Sequence, residues 1–362
     1  MKHNQFHIDF KLNGNSFSSV DELLEYSKML PENTHRFLKE WFSEKTIIKV
    51  HTSGSTGKPK IIQLKKEFMI NSALATGTFF NLQEKTTALL CMSTSYIAGK
   101  MMLVRAIILG WDLDLIEPIS NPLKGSEKQY DFSAMVPMQL QNSLSEIHRI
   151  KKLIVGGGIV SEELEKQIQN VSTAIFATFG MTETITHIAV KKLNQIQNAT
   201  SSVIENSHYH ALPNVSISKD QRDCLVINAP KVSSNKIITN DVIELISDKE
   251  FSWLGRYDNV INSGGIKLHP EEIEKKLSQV ISQRFFVAGI ADEILGEKLI
   301  LVIEENITSN SVKKSLLKEI ELNLLEVKSL SKYETPKAIY FVEQFLETET
   351  KKIQRSKTLD LI

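Results

Sequence analysis

Charge of one sign is missing from this chain: 43 Lys and Arg balance 43 Asp and Glu over 362 residues. No bulk field therefore draws it to nucleic acid or to an anionic membrane, and partners have to be sought at local sites. Cysteine is nearly absent. The two that occur, Cys91 and Cys224, lie far apart without metal-type spacing, which excludes a disulfide scaffold and fits a reducing compartment. Long apolar runs are absent too. The stretch Met101 to Trp111 is broken by Arg105, and the start Met1-Lys2-His3-Asn4-Gln5 has no signal-peptide core. A cytoplasmic chain without membrane insertion is expected. No repeat, low-complexity tail, Gly-x-Ser-x-Gly or Ser-His-Asp ordering stands out. His3 and His7 have helical spacing but no third ligand, and His208-Tyr209-His210 is expected in a loop. Both sets read as surface histidines rather than a zinc site.

What is present alternates between two periods. Short β-branched or apolar runs (Ile47 to Val50, Ala88 to Met92, Leu113 to Ile116, Leu153 to Val155, Ala174 to Ala177) are separated by helical patterns at Lys65 to Phe80 and Ser161 to Gln169. The expected class is α/β with several parallel pairings. Beyond about residue 200, strands at Cys224 to Asn228 and Val242 to Ile246 predict a β-rich close to the same domain. From Ile266 onward the order changes. A helix opening at His269-Pro270-Glu271, strands at Phe285 to Ile290 and Lys298 to Glu304, a helix over Ser311 to Leu325 and a strand at Ala338 to Val342 predict a compact α+β unit. Pro270 suits a first helical turn and the glutamates after it suit the helix dipole. The run Glu271 to Lys276 reads as the solvated face of an amphipathic helix. The expected division is a large domain over 1–255, a hinge near 256–258 and a small domain over 259–362, with the first forty or so residues unassigned.

The densest cluster of turn-forming and hydroxyl residues is His51-Thr52-Ser53-Gly54-Ser55-Thr56-Gly57-Lys58-Pro59-Lys60. The flanking runs Ile47 to Val50 and Lys60 to Leu64 predict a hairpin with this cluster at its tip. Exposed amides and hydroxyls there can donate to phosphate oxygens, and Lys58 adds a point charge. The spacing is not that of the common P-loop: two residues separate Gly54 from Gly57, and a proline follows Lys58. Taken alone, the cluster reads equally well as a flexible polar turn.

Three further stretches break that tie. The loop from Thr52 to Lys60, Phe179-Gly180-Met181-Thr182-Glu183, "GRYDNVINSGGIKLHPEEIE" at 255–274 and "KKIQR" at 351–355 occur in the order and approximate spacing of four motifs of the adenylate-forming enzymes, which this chain resembles. That family includes acyl-CoA synthetases, firefly-type luciferases and peptide-synthetase adenylation domains, and the resemblance covers roughly residues 45 to 357. It implies a carboxylic acid attacking the α-phosphate of ATP, with donors and cations gathered around the reacting phosphorus. By the same resemblance Thr52, Ser53, Gly54, Ser55, Thr56, Gly57 and Lys58 hold the β- and γ-phosphates. Glu183 binds Mg2+, Thr182 lies near the α-phosphate, and Phe179 and Gly180 line the adenine, as do Gly156 and Gly157 of the triple glycine ending at Gly158. Asp241 accepts from the ribose hydroxyls, Arg256 and Lys267 contact the nucleotide, and Asp258 is the hinge. Lys352 is the adenylation lysine. Lys351 and Asn240 stand where the family usually has glycine.

The resemblance extends to the acceptor and the acid. In coenzyme A ligases the small domain rotates for a second half-reaction, and Ser263-Gly264-Gly265 here would line the coenzyme A channel. The stretch "STSYIAGKMMLVRAIILG" at 93–110 lies where relatives place the acyl pocket. Its details resemble the 2-succinylbenzoate–CoA ligases of menaquinone biosynthesis, particularly the short forms. Tyr96 stands where many relatives carry histidine, and Tyr96, Gly99, Lys100 and Arg105 are the pocket candidates. Lys100 or Arg105 would pair with a substrate carboxylate, or Arg105 caps a pocket wall, and Met101, Met102 and Leu103 serve as core. The hallmark loop starts earlier than in full-length relatives, so a reduced N-terminal subdomain and a homodimer covering its flank are expected. Two other readings stand beside the ligase: transfer to a carrier-protein thiol, and a catalytically weakened nucleotide-binding or scaffold protein.

Overall fold

Asn13-Gly14 turns the chain between its first two described strands. A computed structural model describes residues 5–52, 60–195, 208–307, 309–348 and 353–362. In it, strands β1 (Lys11–Leu12) and β2 (Asn15–Ser16) pair across those two residues, with φ of 50° and 77°. Such angles match a two-residue turn, for which Asn-Gly is the strongest sequence signal. Helices α1 (Val20–Ser27) and α2 (Glu32–Trp41) follow. The Ser19 side chain accepts from the Glu22 N–H and the Glu22 carboxylate accepts from Ser18, fixing the start of α1. Phe10, Leu12, Leu23, Phe37, Leu38 and Trp41 are fully or almost fully buried. Residues 5–42, most of them unassigned from sequence, thus form a wall of the main core.

The expected hairpin forms between β3 (Ile47–Thr52) and β4 (Lys60–Lys65), in register from Ile47 opposite Lys65 to Thr52 opposite Lys60. Then come α3 (Lys66–Phe80), β5 (Thr87–Leu90), α4 (Ile97–Leu109), β6 (Asp112–Leu115), β7 (Tyr130–Met135), α5 (Pro137–Asn142), β8 (Ile150–Val155), α6 (Glu162–Gln167) and β9 (Ala174–Gly180). Strands β1, β6, β5, β7, β8 and β9 pair in that order, all parallel. Side chains alternate across this sheet. Ala88, Leu90 and Ile154 join one apolar cluster, while Leu89, Leu153 and Val155 join a second on the opposite face. Helix α4 is buried on nearly every side, as an almost wholly apolar helix must be, and takes Lys100 and Arg105 inside with it.

At β9 the sheet changes character. Strands β10 (His187–Lys192), β11 (Tyr209–Ala211), β12 (Ser216–Lys219), β13 (Cys224–Asn228), β14 (Ile237–Leu245) and β15 (Glu250–Arg256) extend it by antiparallel pairing in the order β9-β10-β11-β15-β14-β13-β12. His208 to His210, expected as loop, instead lead into and form part of β11. Tyr209 is held there by stacking on Phe251, with ring centroids 5.3 Å apart. A second sheet follows from β16 (Ile261–Ser263), β17 (Ile266–Leu268), β18 (Phe285–Asp292), β19 (Gly296–Glu304) and β20 (Ala338–Val342). Helices α7 (Pro270–Leu277) and α8 (Asn310–Glu326) cover its Val287, Leu299, Leu301 and Ile303 face. Phe345 packs on the other face with Phe286 and Ile300, and Leu359 of α9 (Arg355–Leu359) lies against them. Both cysteines are free and buried. Among the described residues no helix is long and apolar enough to cross a membrane.

Candidate active site

Ligands of open α/β sheets gather where parallel strands end. Here β8 runs into Gly156-Gly157-Gly158 and its neighbour β9 into Phe179 to Glu183. A Cβ on Gly156 would lie 2.4 Å from Thr178 Oγ1, so glycine is what lets the two strand ends converge. A Cβ on Gly180 would lie 2.3 Å from the Thr186 carbonyl, so the chain can double back beneath it only at glycine. The β4 arm of the hairpin lies beside the 3-10 turn Thr182–Thr184, which brings the carrier of the hydroxyl-rich loop to the same region. Ser53 to Lys58 lie outside the described residues, and Thr52 is described only as the last residue of β3. Phe179 is half-buried, its ring edge-on to Phe251 at 5.2 Å and to Tyr209 at 5.8 Å. The sequence reading gave that ring to adenine alone. It also ties β9 to β11 and β15.

Glu183 projects to solvent, and no described residue bonds or pairs with its carboxylate. Among the described residues no group of three or more acidic, His or Cys side chains could cage a metal. One open carboxylate suits magnesium, which takes one or two carboxylates and fills its other positions with phosphate oxygens and water. The residue therefore fits the ion implied for it.

Behind this edge is a buried polar cluster that the sequence only half disclosed. Arg105 is 2 % exposed. Its Nε donates to Thr76 Oγ1 at 3.3 Å and an Nη to Thr186 Oγ1 at 3.5 Å. His187 joins the same two hydroxyls, at 3.4 Å and 3.3 Å. No carboxylate among the described residues pairs with Arg105. Burial pushes its pKa down to about 9, so it keeps its charge at neutral pH. Burial, and then the neighbouring arginine, hold His187 well below the usual imidazole range, so it is neutral. His187 also lines a cavity of about 220 Å³ with residues of α3 and the Leu212 to Val215 loop. Thr76 and His187 carry no sequence signal of their own. The visible hint was a single arginine in an apolar helix.

The other pocket candidates are placed differently. Lys100 was offered as a partner for substrate, but its Nζ donates to the Thr94 and Ser95 carbonyls and sits 5.2 Å above the Phe37 ring. It ties down the loop that precedes α4, because a buried ammonium takes the nearest acceptors. Gly99 brings the helix against the Ser93 carbonyl, 2.3 Å from where a Cβ would stand. Tyr96 is 62 % exposed at the start of α4.

Asp241, Arg256 and Asp258 come together. Asp241 faces Arg256 across β14 and β15, at 3.6 Å between Oδ1 and the guanidinium, and accepts from Trp253 Nε1 at 3.0 Å. Arg256 also reaches Asp258 at 3.3 Å. Asn240 contributes a link that a glycine could not. Its Nδ2 lies 3.3 Å from both Asp258 oxygens, while its Oδ1 accepts from Arg222 at 3.0 Å. Arg222 in turn lies over the Tyr257 ring at 5.1 Å. Lys267 lines a second cavity of about 350 Å³ with Lys219, Arg222 and Tyr257. Gly264 and Gly265, at φ of 60° and 82°, form the tip of the β16–β17 hairpin. Lys351 and Lys352 lie outside the described residues.

Comparison with known proteins extends this geometry. Residues 17–215 match the family model described as AMP-binding enzyme, reaching back into the segment that the motifs left unassigned. The chain is 37 % identical to a solved acyl-CoA synthetase (AMP-forming)/AMP-acid ligase II-like protein from Dyadobacter fermentans, over 91 % of this chain and 93 % of that one, with a TM-score of 0.59. It is 25 % identical to a 2-succinylbenzoate–CoA ligase of Listeria monocytogenes, over 94 % of this chain and 74 % of the relative. At 18 % identity it shares the fold of an O-succinylbenzoate coenzyme A synthetase from Bacillus subtilis solved with ATP and magnesium ion, with a TM-score of 0.66 over 94 % of this chain and 82 % of that one. A family match over more than half the chain, and a 37 % identical structure over nine-tenths of it, make this protein a member of the AMP-binding, adenylate-forming enzymes, in the group of AMP-forming acyl-CoA synthetases.

Proposed function

We propose that the chain is an acid–coenzyme A ligase whose acid is 2-succinylbenzoate. The observation that carries the choice of acid is Arg105: a buried guanidinium without a carboxylate among the described residues, bonded to two hydroxyls that it shares with neutral His187, which itself lines a cavity. A buried charge calls for a counter-ion, and a dicarboxylic acid has one carboxylate for Arg105 and one to react. The names of the curated relatives support the same acid.

In the first half-reaction a carboxylate oxygen of the acid bonds to the α-phosphorus of ATP as the bond to the leaving pyrophosphate breaks. Lys352 stabilises the charge that develops between them, and Thr182 lies near the α-phosphate. Bound to Glu183, magnesium would neutralise phosphate charge and orient the triphosphate. Thr52 to Lys58 hold the outer phosphates, Gly156, Gly157, Phe179 and Gly180 the adenine, and Asp241 and Arg256 the ribose side, with Lys267 reaching the nucleotide from β17. In the second half-reaction the thiolate of coenzyme A attacks the acyl carbonyl, and AMP leaves. Residues 259–362 turn about Asp258 against residues 1–255 between the two steps, and Gly264 and Gly265 line the thiol's channel.

The test is acid-dependent exchange of labelled pyrophosphate into ATP over a panel of 2-succinylbenzoate, benzoates and fatty acids, followed by thioester formation with coenzyme A or with a phosphopantetheinylated carrier. Exchange and thioester with 2-succinylbenzoate and coenzyme A are expected. Turnover of a plain fatty acid alone would displace the acid. No exchange with any acid would favour a weakened homologue, and transfer only to the carrier would displace the acceptor.

A further inference from the structure

Ile185 has φ 68° and ψ −59°. A β-branched residue at positive φ is an outlier. These angles, with the Thr186 N–H donating to the Thr184 carbonyl at 2.8 Å, define the rare γ-turn of positive φ. Backbone strain of this kind costs about 1–3 kcal/mol and persists only where the surroundings impose it. They do so here. The Ile185 side chain is 1 % exposed in the main core, and burial of that size is worth about 1.5–3 kcal/mol, enough to offset the strain.

Thr184, 0 % exposed, closes the turn from within. Its Oγ1 accepts from the Met181 N–H at 3.0 Å and has two carbonyls for its single proton, Thr186 at 2.7 Å and Met181 at 2.9 Å. The Ile185 N–H adds a bond to the Thr182 carbonyl at 3.0 Å. Glu183 thus sits on a short loop cross-braced at both ends, and Thr186, which follows Ile185, bonds Arg105. Resting on the adenylating reading above, we propose that Thr184, through the strained turn at Ile185, is the positioning residue that holds Glu183 at a fixed place relative to Arg105. Thr184 touches neither substrate nor metal. It sets where Glu183 meets a magnesium-bound triphosphate while Arg105 holds the acid, so that both reactants approach along one rigid support.

The experiment compares wild type, T184V and T184S without acid present, by calorimetric titration with ATP in Mg2+ and in EDTA, and by amide hydrogen exchange of the nucleotide-free proteins. T184V keeps the shape but leaves the part-buried Met181 N–H without its acceptor. It should weaken Mg2+-dependent ATP binding at least about 10-fold while binding in EDTA holds, and should speed exchange at Met181, Ile185 and Thr186. T184S keeps the hydroxyl and should return binding to within about threefold of wild type. Faster exchange in T184V with the Mg2+ increment intact would overturn the proposal, as would a T184S protein as impaired as T184V. Should T184V not fold, wild type alone decides. Full protection of these amides before nucleotide is added is expected, and protection gained only with Mg2+ and ATP would overturn it. Wild type that binds no ATP in Mg2+ would sink the adenylating reading instead.

Discussion

Arg105 and His187 are two basic side chains in one buried place, and the structure keeps only one of them charged. A buried charge without an ionic partner carries an uncompensated desolvation cost, which an apolar side chain of similar volume removes. We expect Arg105→Met to leave the melting temperature level or raise it. The same change should raise the KM for the acid at least about 30-fold, the factor that corresponds to the roughly 2 kcal/mol lower limit for stripping a partner from a buried charge pair. A collapse in stability with unchanged KM would assign Arg105 to the scaffold alone. His187 makes a pH prediction. Unfolded imidazole titrates near 6.5, whereas the folded group stays neutral well below that. Below about 6.5 the unfolded chain therefore binds the extra proton, and stability falls on acidification by up to about 1.4 kcal/mol per pH unit. Glu274 runs the other way. Burial pushes its carboxyl from 4.5 up to about 7, so its contribution is lost as pH rises through that window. Denaturant titrations of His187→Gln against wild type from pH 7 to 5 isolate the histidine. The variant should lose less stability on acidification, and parallel curves would disprove the assignment.

At the scale of elements, the hairpin of β3 and β4, helix α3 and the strands Cys224–Asn228 and Ala338–Val342 were legible because turn residues and period bounded them locally. Strands β1 and β2 were overlooked although Asn13-Gly14 announces their turn, since two-residue strands carry too little alternation to register. The strand at Tyr209 could not be read locally, because its partners β10 and β15 come from both sides along the chain. Asn240 is the element-scale departure with a consequence. It joins Arg222, at the β12–β13 connection, to Asp258 beyond β15. Its bonds to Asp258 are exposed and the one from Arg222 is only part-buried, so Asn240→Gly should cost about 1 kcal/mol of stability. Under the hinge reading the substitution frees Asp258, and thioester formation from preformed acyl-adenylate should gain relative to adenylation. An unchanged ratio of the two rates would separate Asn240 from the hinge.

At the scale of the whole molecule, each of the two larger sheets has apolar clusters on both faces, the first drawing on residues 5–42 and the second closed by α7, α8 and Phe345. The two-step reading places adenylation and thioester formation on different arrangements of these bodies. We expect Lys352→Ala to lose on the order of 3 kcal/mol of stabilisation for adenylation, comparable to removing one oxyanion donor. Preformed acyl-adenylate should still pass to coenzyme A at close to the wild-type rate. Equal loss in both half-reactions, measured separately, would refute the role of Lys352.

The chain's own residues determined the family, the α/β alternation and the ordered motifs from Thr52 to Arg355, because nucleotide chemistry needs specific side chains at fixed spacings within short segments. Tertiary structure alone decided that Arg105 faces Thr76, Thr186 and His187 while Lys100 turns back to Thr94, that Asn240 reaches Asp258, and that Thr184 braces the turn beneath Glu183. Those facts depend on which buried group finds which partner. Segments distant in sequence settle that only when they enclose the same small volume and exclude water from it.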